Sequence, residues 1–358
     1  MQHPIVPIAF PERKTLIDET TLLAADVGGT KTHLALFLVK GRALEMLNEA
    51  IYPSKGHASL SDIIRLFLAE KAPPACLSIA FAGPVQDGRA QATNLHWLID
   101  TRQLSQELSI PEVYLINDLE SGAYGLGLLG PSDLLNIHMG NPERQGNCGI
   151  IAPGTGLGEA GLFWDGKALH PFAGEGGHTD FAPRSPLDWE LQQYLQQQFG
   201  RVSWERVLSG PGMVNIFSFL RDVKKREIPD PLLAQMNSMD PAAAIGLGTQ
   251  EYIPVCRETH RLFVKYLAIE ASDLALKLNA TGGIYICGGI PPKIWSDELT
   301  DVFEEHFFEV GRLRTLMEQV PVYLVLNAKT VMLGAAGYGS GGMNIMEQNN
   351  KTPTLKTL

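Results

Sequence analysis

The stretch Leu22–Phe37, LLAADVGGTKTHLALF, constrains this chain more than any other. An apolar run ends on Asp26, the turn Gly28-Gly29-Thr30 follows, and a second apolar run starts at Leu34. Two short apolar runs joined by a Gly-Gly turn predict a β-hairpin. A turn without β-carbons lets backbone N–H groups approach an anion closely. The turn is therefore either an ordinary surface hairpin or a phosphate-binding nest. Asp26, at the strand end, offers the oxygen ligand that Mg²⁺ requires. One hairpin leaves both readings open.

The design recurs. Cys148–Ala152 is a predicted strand, Pro153–Gly158 (PGTGLG) a glycine loop, and Glu159–Trp164 a second strand. A third strand, around Ile284–Ile286, runs into Gly288-Gly289. Paired Gly-Thr hairpins suit a grip on a nucleotide's phosphates from two sides, the arrangement of actin-like, ribonuclease H-like ATPases. Between them, strands and helices alternate. The spacing predicts helices over Leu60–Glu70, Thr101–Leu108, Leu119–Leu129, Leu187–Phe199, Met213–Leu220, His260–Leu278 and Val331–Tyr338. Strands are predicted at Leu77–Ala82, Val113–Ile116 and Pro321–Leu326. That alternation argues for α/β architecture with largely parallel pairing. Residues 1–20 are expected to be a flexible or loosely docked extension, and Asp222–Asp240 a surface loop.

Composition narrows the function classes. The chain has 358 residues, 45% of them hydrophobic, and a net charge of −10. An acidic surface does not suit general binding to nucleic acid or to anionic lipid. A nucleotide is compatible, since its few phosphates need only local donors. Cys76, Cys148, Cys256 and Cys287 show no CxxC spacing and stand near apolar residues, so free buried thiols in a reducing cytoplasm are expected. No run approaches the roughly 18 apolar residues of a membrane span.

Several segments carry chemistry. The strand before Asn117-Asp118 delivers an amide and a carboxylate at its end, where the same residues also suit a helix N-cap. Ala173–Pro183 (AGEGGHTDFAP) is a tight glycine loop bearing Glu175, His178 and Asp180. Thr93–Trp97 (TNLHW) is polar and aromatic, expected in a turn or near an active cleft. Two tempting motifs fail. GPVQDGRA has Arg89-Ala90 where a P-loop needs Lys-Ser/Thr, and GLGLLG lies in a helix rather than between strand and helix, so it reads as small-residue helix packing.

Together DVGGT, the IND ending at Asp118, GTGLG, GEGGH with DFAP, ERVLSGPG and ICGGI resemble the bacterial-type glucokinases, in that family's order, from about Leu22 to Tyr338. The resemblance implies two ribonuclease H-like α/β domains flanking a deep cleft, with residues 21–118 plus about 333–347 in the smaller and 119–332 in the larger. It implies transfer of the γ-phosphoryl of ATP to the 6-hydroxyl of glucose in the cytoplasm, by a homodimer. Asp118 would be the catalytic base. Asn117, Asp118, Glu175, His178 and Glu205 would contact the sugar. Ala25, Asp26, Val27, Gly28, Gly29 and Thr30 would hold the phosphates with Gly154, Thr155 and Gly156, while Gly288 and Gly289 would border the adenosine. Mg²⁺ would arrive with ATP, with Asp26 near it.

Elementary chemistry is compatible with those roles. Phosphoryl transfer needs positioning, charge neutralisation and one carboxylate to take the hydroxyl proton. Carboxylate and imidazole groups suit a neutral polyol. A zinc-binding histidine, as in related sugar kinases and repressors, would need a cysteine cluster that is missing here. Alternatives are a kinase of another hexose, a polyphosphate-using kinase, or a non-enzymatic sugar sensor on the same scaffold. The N-terminal segment is too short and proline-rich for the DNA-binding helices of a repressor.

Overall fold

The computed structural model describes residues 6–345 except 14, 15, 42, 70, 92–94, 142 and 143, together with 354 and 355. The chain forms two compact units. One comprises Met1–Pro131, Lys167–Ala173 and Asn327–Leu358, and the other Ser132–Gly166 and Gly174–Leu326.

The first unit has strands β1 (Thr21–Val27), β2 (Lys31–Lys40), β3 (Ala43–Pro53) and β4 (Cys76–Phe81). A small ribbon of β5 (Arg89–Gln91) and β6 (Leu98–Asp100) follows, then β7 (Glu112–Asn117). The main sheet runs β3-β2-β1-β4-β7, with Asn344–Ile345 added parallel to β3. β1, β2 and β3 pair antiparallel as the opening hairpin predicts, whereas β4 and β7 run parallel to β1. The apolar run of β1 is continuous because both faces are covered. Leu23, Ala25 and Val27 pack in one core with Ile63 and Phe67 of α1 (Leu60–Leu68) and Leu104 of α2 (Thr101–Leu108). Leu22 and Ala24 pack in another with Met332, Ala335 and Ala336 of the helix Thr330–Ser340. Ser59 starts α1 by accepting the Asp62 N–H at 3.2 Å.

Helix α3 (Asp118–Leu126) follows β7 directly and crosses the helix Thr330–Ser340 at close range. A Cβ on Gly125 would overlap the Thr330 carbonyl oxygen, and one on Gly334 would overlap that of Ser121. Ser121 also donates to the Val331 carbonyl at 2.8 Å. The GLGLLG segment is thus helix packing, as read from its position. This contact fixes α3 and the Asp118 at its start.

The described part of the N-terminal segment departs from expectation. It is docked on the first unit, not loose. The Arg13 guanidinium lies 4.1 Å from the centre of the Tyr114 ring and 4.3 Å from that of Tyr338, and Nε donates to the Tyr338 carbonyl at 3.2 Å. Phe10 packs on Tyr124 with ring centres 5.6 Å apart. These aromatics come from elements far along the chain, so the segment itself carries little sign of them.

The second unit's sheet carries β8 (Leu134–His138), β9 (Cys148–Pro153), β10 (Leu157–Trp164), β12 (Gly283–Ile286) and β13 (Val322–Val325), in the order β10-β9-β12-β13-β8. β11 (Leu169–Gly174) is mostly grouped with the first unit. β9, β12 and β13 are parallel, and the flanking β10 and β8 are antiparallel, so pairing is mixed rather than largely parallel. Around the sheet stand α4 (Pro186–Phe199), α5 (Gly210–Asp222), α6 (Asp230–Ser238), α7 (Pro241–Gln250) and α8 (Pro254–Leu278). α8 is the axis of the largest core, contributing Phe263, Tyr266 and Leu267.

One expectation needs correction. Residues 222–240 are not all loop, because α6 docks Leu232 into that core. The Gly-Pro-Gly after Ser209 opens α5, where Pro is tolerated in the first turn and Ser209 caps through the Gly212 N–H at 3.0 Å. α3 packs within the first unit, whose first segment runs to Pro131. Of the Thr93–Trp97 segment, 93 and 94 lie outside the described residues. Trp97 is buried and donates to the His57 carbonyl at 3.1 Å. No helix among the described residues is long and apolar enough to cross a membrane.

Candidate active site

In the first unit, one sheet edge collects the expected groups. Val27 pairs in register with Phe81, and Phe81 with Asn117, so β1, β4 and β7 end together. The Gly28 turn leaves β1 and Asp118 leaves β7 at that common carboxyl edge, where open α/β sheets take their ligands. Neighbouring strands stand about 4.8 Å apart, so two strand steps separate them.

The connecting backbone is tied down. Ala82 N–H bonds Val27 O at 3.0 Å, and the Asn117 side-chain amide donates to Gly83 O at 3.1 Å. Asn117 Oδ1 accepts from Leu119 N at 2.9 Å and Glu120 N at 3.3 Å, so Asn117 is the N-cap of α3. The cap sets the direction of Asp118. Asp118 is half-buried, with Oδ1 accepting its neighbour Leu119 N–H at 3.0 Å.

The hairpin turn is braced by a residue that sequence reasoning missed. Buried Ser54, just past β3, donates to Gly28 O at 2.7 Å, bonds Thr32 Oγ1 at 3.0 Å and gives its N–H to Thr30 O at 2.9 Å. A Cβ at Gly28 would stand only 3.3 Å from Lys31 O. Asp26 sits behind this turn, and desolvation, only partly offset by Lys31, raises its carboxyl from 3.8 to about 6. A carboxylate held in so unfavourable a place would gain from an adjacent cation.

In the second unit, the β9–β10 hairpin gathers the remaining expected loops. Gly154 N–H bonds Gly156 O at 2.8 Å across the PGTGLG turn, and Gly210 N–H bonds Gly154 O at 2.9 Å. Glu205 Oε2 accepts the Leu157 N–H at 3.0 Å, and a Cβ on Gly156 would meet the same oxygen at 2.5 Å. Gly288 adopts φ +87, a left-handed conformation, and a Cβ there would overlap the Pro153 carbonyl. A Cβ on Gly177 would overlap Leu157 O, which seats the GEGGH turn on the hairpin. The next residues run beside the segment before Glu205, with Trp204 N–H to Thr179 O and Phe181 N–H to Val202 O, both at 3.0 Å. Glu175 and His178 are exposed on the Gly176–His178 turn, and Glu205 is half-buried beside it. Thr155 and Gly289 are exposed on their loops.

Comparison with known proteins adds an independent line. A family model described as Glucokinase matches residues 23–341. A glucokinase of Nostoc punctiforme is 40% identical over 337 residues, covering 88% of this chain and 98% of that protein. The crystal structure of a glucokinase from an Antarctic psychrotroph superposes with a TM-score of 0.75 at 30% identity, over 89% of this chain and 98% of its own. A ROK-family glucokinase from Streptomyces griseus, solved with glucose and AMPPNP, has a TM-score of 0.61 at 20% identity, over 89% of this chain and 99% of its own, a likeness of fold alone.

The fold shared with that 30%-identical glucokinase and the identity to the Nostoc punctiforme protein make the chain a hexose kinase of the actin-like ATPase fold. The family model and the curated relatives carry this one step further. The chain belongs to the glucokinase family and phosphorylates glucose at the expense of ATP.

Proposed function

We propose that Asp118 is the general base that takes the proton of the glucose 6-hydroxyl as that oxygen attacks the γ-phosphorus in line. The observation that carries this is the register Val27–Phe81–Asn117, which ends the Asp26–Thr30 hairpin and the Asp118 strand at one sheet edge. Ala25–Thr30 hold the phosphates through backbone N–H groups, with Gly154, Thr155 and Gly156 as a second set of donors. Glu175, His178 and Glu205 bind sugar hydroxyls together with Asn117, and Gly288 and Gly289 border the adenosine. The desolvated carboxyl of Asp26 fits a hard divalent cation, held directly or through water. When bound, Mg²⁺ supplies neutralisation of phosphate charge. The enzyme acts as a cytoplasmic homodimer in glucose catabolism.

A coupled assay across a panel of hexoses with ATP, ADP or polyphosphate tests the reading. Glucose with MgATP is the expected preferred pair, and chelating divalent cations is expected to stop turnover. Preference for another hexose or for polyphosphate favours the corresponding alternative kinase. Full turnover in excess chelator contradicts the cation assignment.

A further inference from the structure

Beneath the GEGGH turn lies a pair of acids outside the roles assigned so far. Glu159, on β10, is 3% exposed, and Glu270, on α8, is fully buried. Glu270 Oε1 accepts from Lys277 Nζ at 3.0 Å, while Glu270 Oε2 and Glu159 Oε1 are buried with no donor supplied. The turn presses on this pair. A Cβ on Gly176 would overlap Glu159 Oε2 and stand 3.2 Å from Glu159 Cβ, and one on Gly174 would stand 3.2 Å from Glu159 O. The glycines at 174 and 176 thus let the backbone lie directly on Glu159.

Two buried carboxylates beside one lysine leave a negative charge uncompensated, which costs far more than holding one proton. With that proton on Glu159, its hydroxyl donates to Glu270, and both donorless oxygens gain a partner. We propose that Glu159 is a positioning residue for glucose, its neutral carboxyl hydrogen-bonded to Glu270 and forming the floor that sets the Glu175–His178 turn. The positioning rests on the reading of that turn as sugar-binding. Burial, then the Glu270 charge, pushes the Glu159 carboxyl well above the usual range, and burial raises Glu270 against the pull of Lys277. The charged groups acting on Glu159 are Glu270, Asp273 and Lys277, all from α8, and Asp273 is itself ion-paired to Arg184 at 2.6 Å. The turn above adds exposed Glu175 and His178. A raised carboxyl favours the folded turn fully below 4.5 and loses that contribution as pH climbs through its raised pKa.

The test compares the whole enzyme with Glu159→Gln, whose amide still donates to Glu270, and with Glu159→Ala. The glucose KM of the parent should rise several-fold between pH 7 and pH 9, as the pair loses its shared proton. Glu159→Gln should bind normally at pH 7 and show a flat alkaline profile, while Glu159→Ala should bind poorly throughout. If Glu159→Ala does not fold, Glu159→Gln still decides. Infrared difference spectra of the sugar-free enzyme should show a protonated-carboxyl band at pH 7 that Glu159→Gln removes. Absence of that band, or persistence of the alkaline rise in Glu159→Gln, overturns the proposal. A band with a flat parent KM profile overturns the positioning role. In that event, His178→Ala separates the two ideas: an unchanged KM means the turn does not bind sugar, and a raised KM means only the positioning fails.

Discussion

Replacing Asp26 by Asn should stabilise the fold, most at alkaline pH. The carboxyl rises from 3.8 to about 6 because β1 carries it into a desolvated place behind the Gly28 turn. Its folded pKa exceeds its unfolded one, so its contribution is intact below 3.8 and is lost as pH rises through about 6. A shift of roughly two units, at about 1.4 kcal/mol each, sets a ceiling of about 3 kcal/mol at pH 8, and about half of that at pH 5. Asn cannot ionise and escapes this cost. Urea denaturation of both proteins at pH 5 and pH 8 reads the difference directly. Asp26→Asn should be the more stable at both, with the larger margin at pH 8. An equal margin at the two pH values, or a less stable variant at pH 8, refutes the desolvation argument. If Asp26 also faces the cation, the same variant needs more Mg²⁺ for half-maximal rate, a stability-for-activity exchange typical of functional sites.

Two further substitutions probe separate supports. Glu205→Ala strands the Leu157 N–H, so it should cost ~1–3 kcal/mol in denaturation experiments and raise the glucose KM. Glu205→Gln keeps an acceptor oxygen and should recover most of the stability. Arg13→Ala removes the guanidinium from between the Tyr114 and Tyr338 rings and should cost ~1–2 kcal/mol. Its kcat/KM for glucose should be unchanged below the melting range, since the arm holds the sheet and not the site.

Elements whose signals are local were legible in the sequence. The β1–β2 and β9–β10 hairpins announce themselves by apolar runs around glycine turns, and α1 by its spacing. Asn117 was readable as a cap because cap chemistry is local too. What escaped depends on distant partners. Ser54 reads as an ordinary serine until β3 returns it to the Gly28 turn. Glu159 lies in an otherwise apolar strand, and that polar interruption was a usable signal, but its partner Glu270 sits more than a hundred residues away on α8. α6 starts behind Pro229 with Asp230 in its first turn, yet proline and charge make Asp222–Asp240 look like loop until Leu232 finds the core. Arg13 reveals its role only when its aromatic partners meet around it.

The assignment of Asp118 as base is tested most directly by Asp118→Asn. The substitution preserves the shape of the side chain and its acceptor for the Leu119 N–H, so α3 and the Asn117 cap should stay in place. Glucose binding, followed by intrinsic fluorescence, should remain within a few fold of the parent, while kcat in the coupled assay falls by about 10²-fold or more, the usual effect of losing a general base. Near-normal turnover in Asp118→Asn would contradict the account.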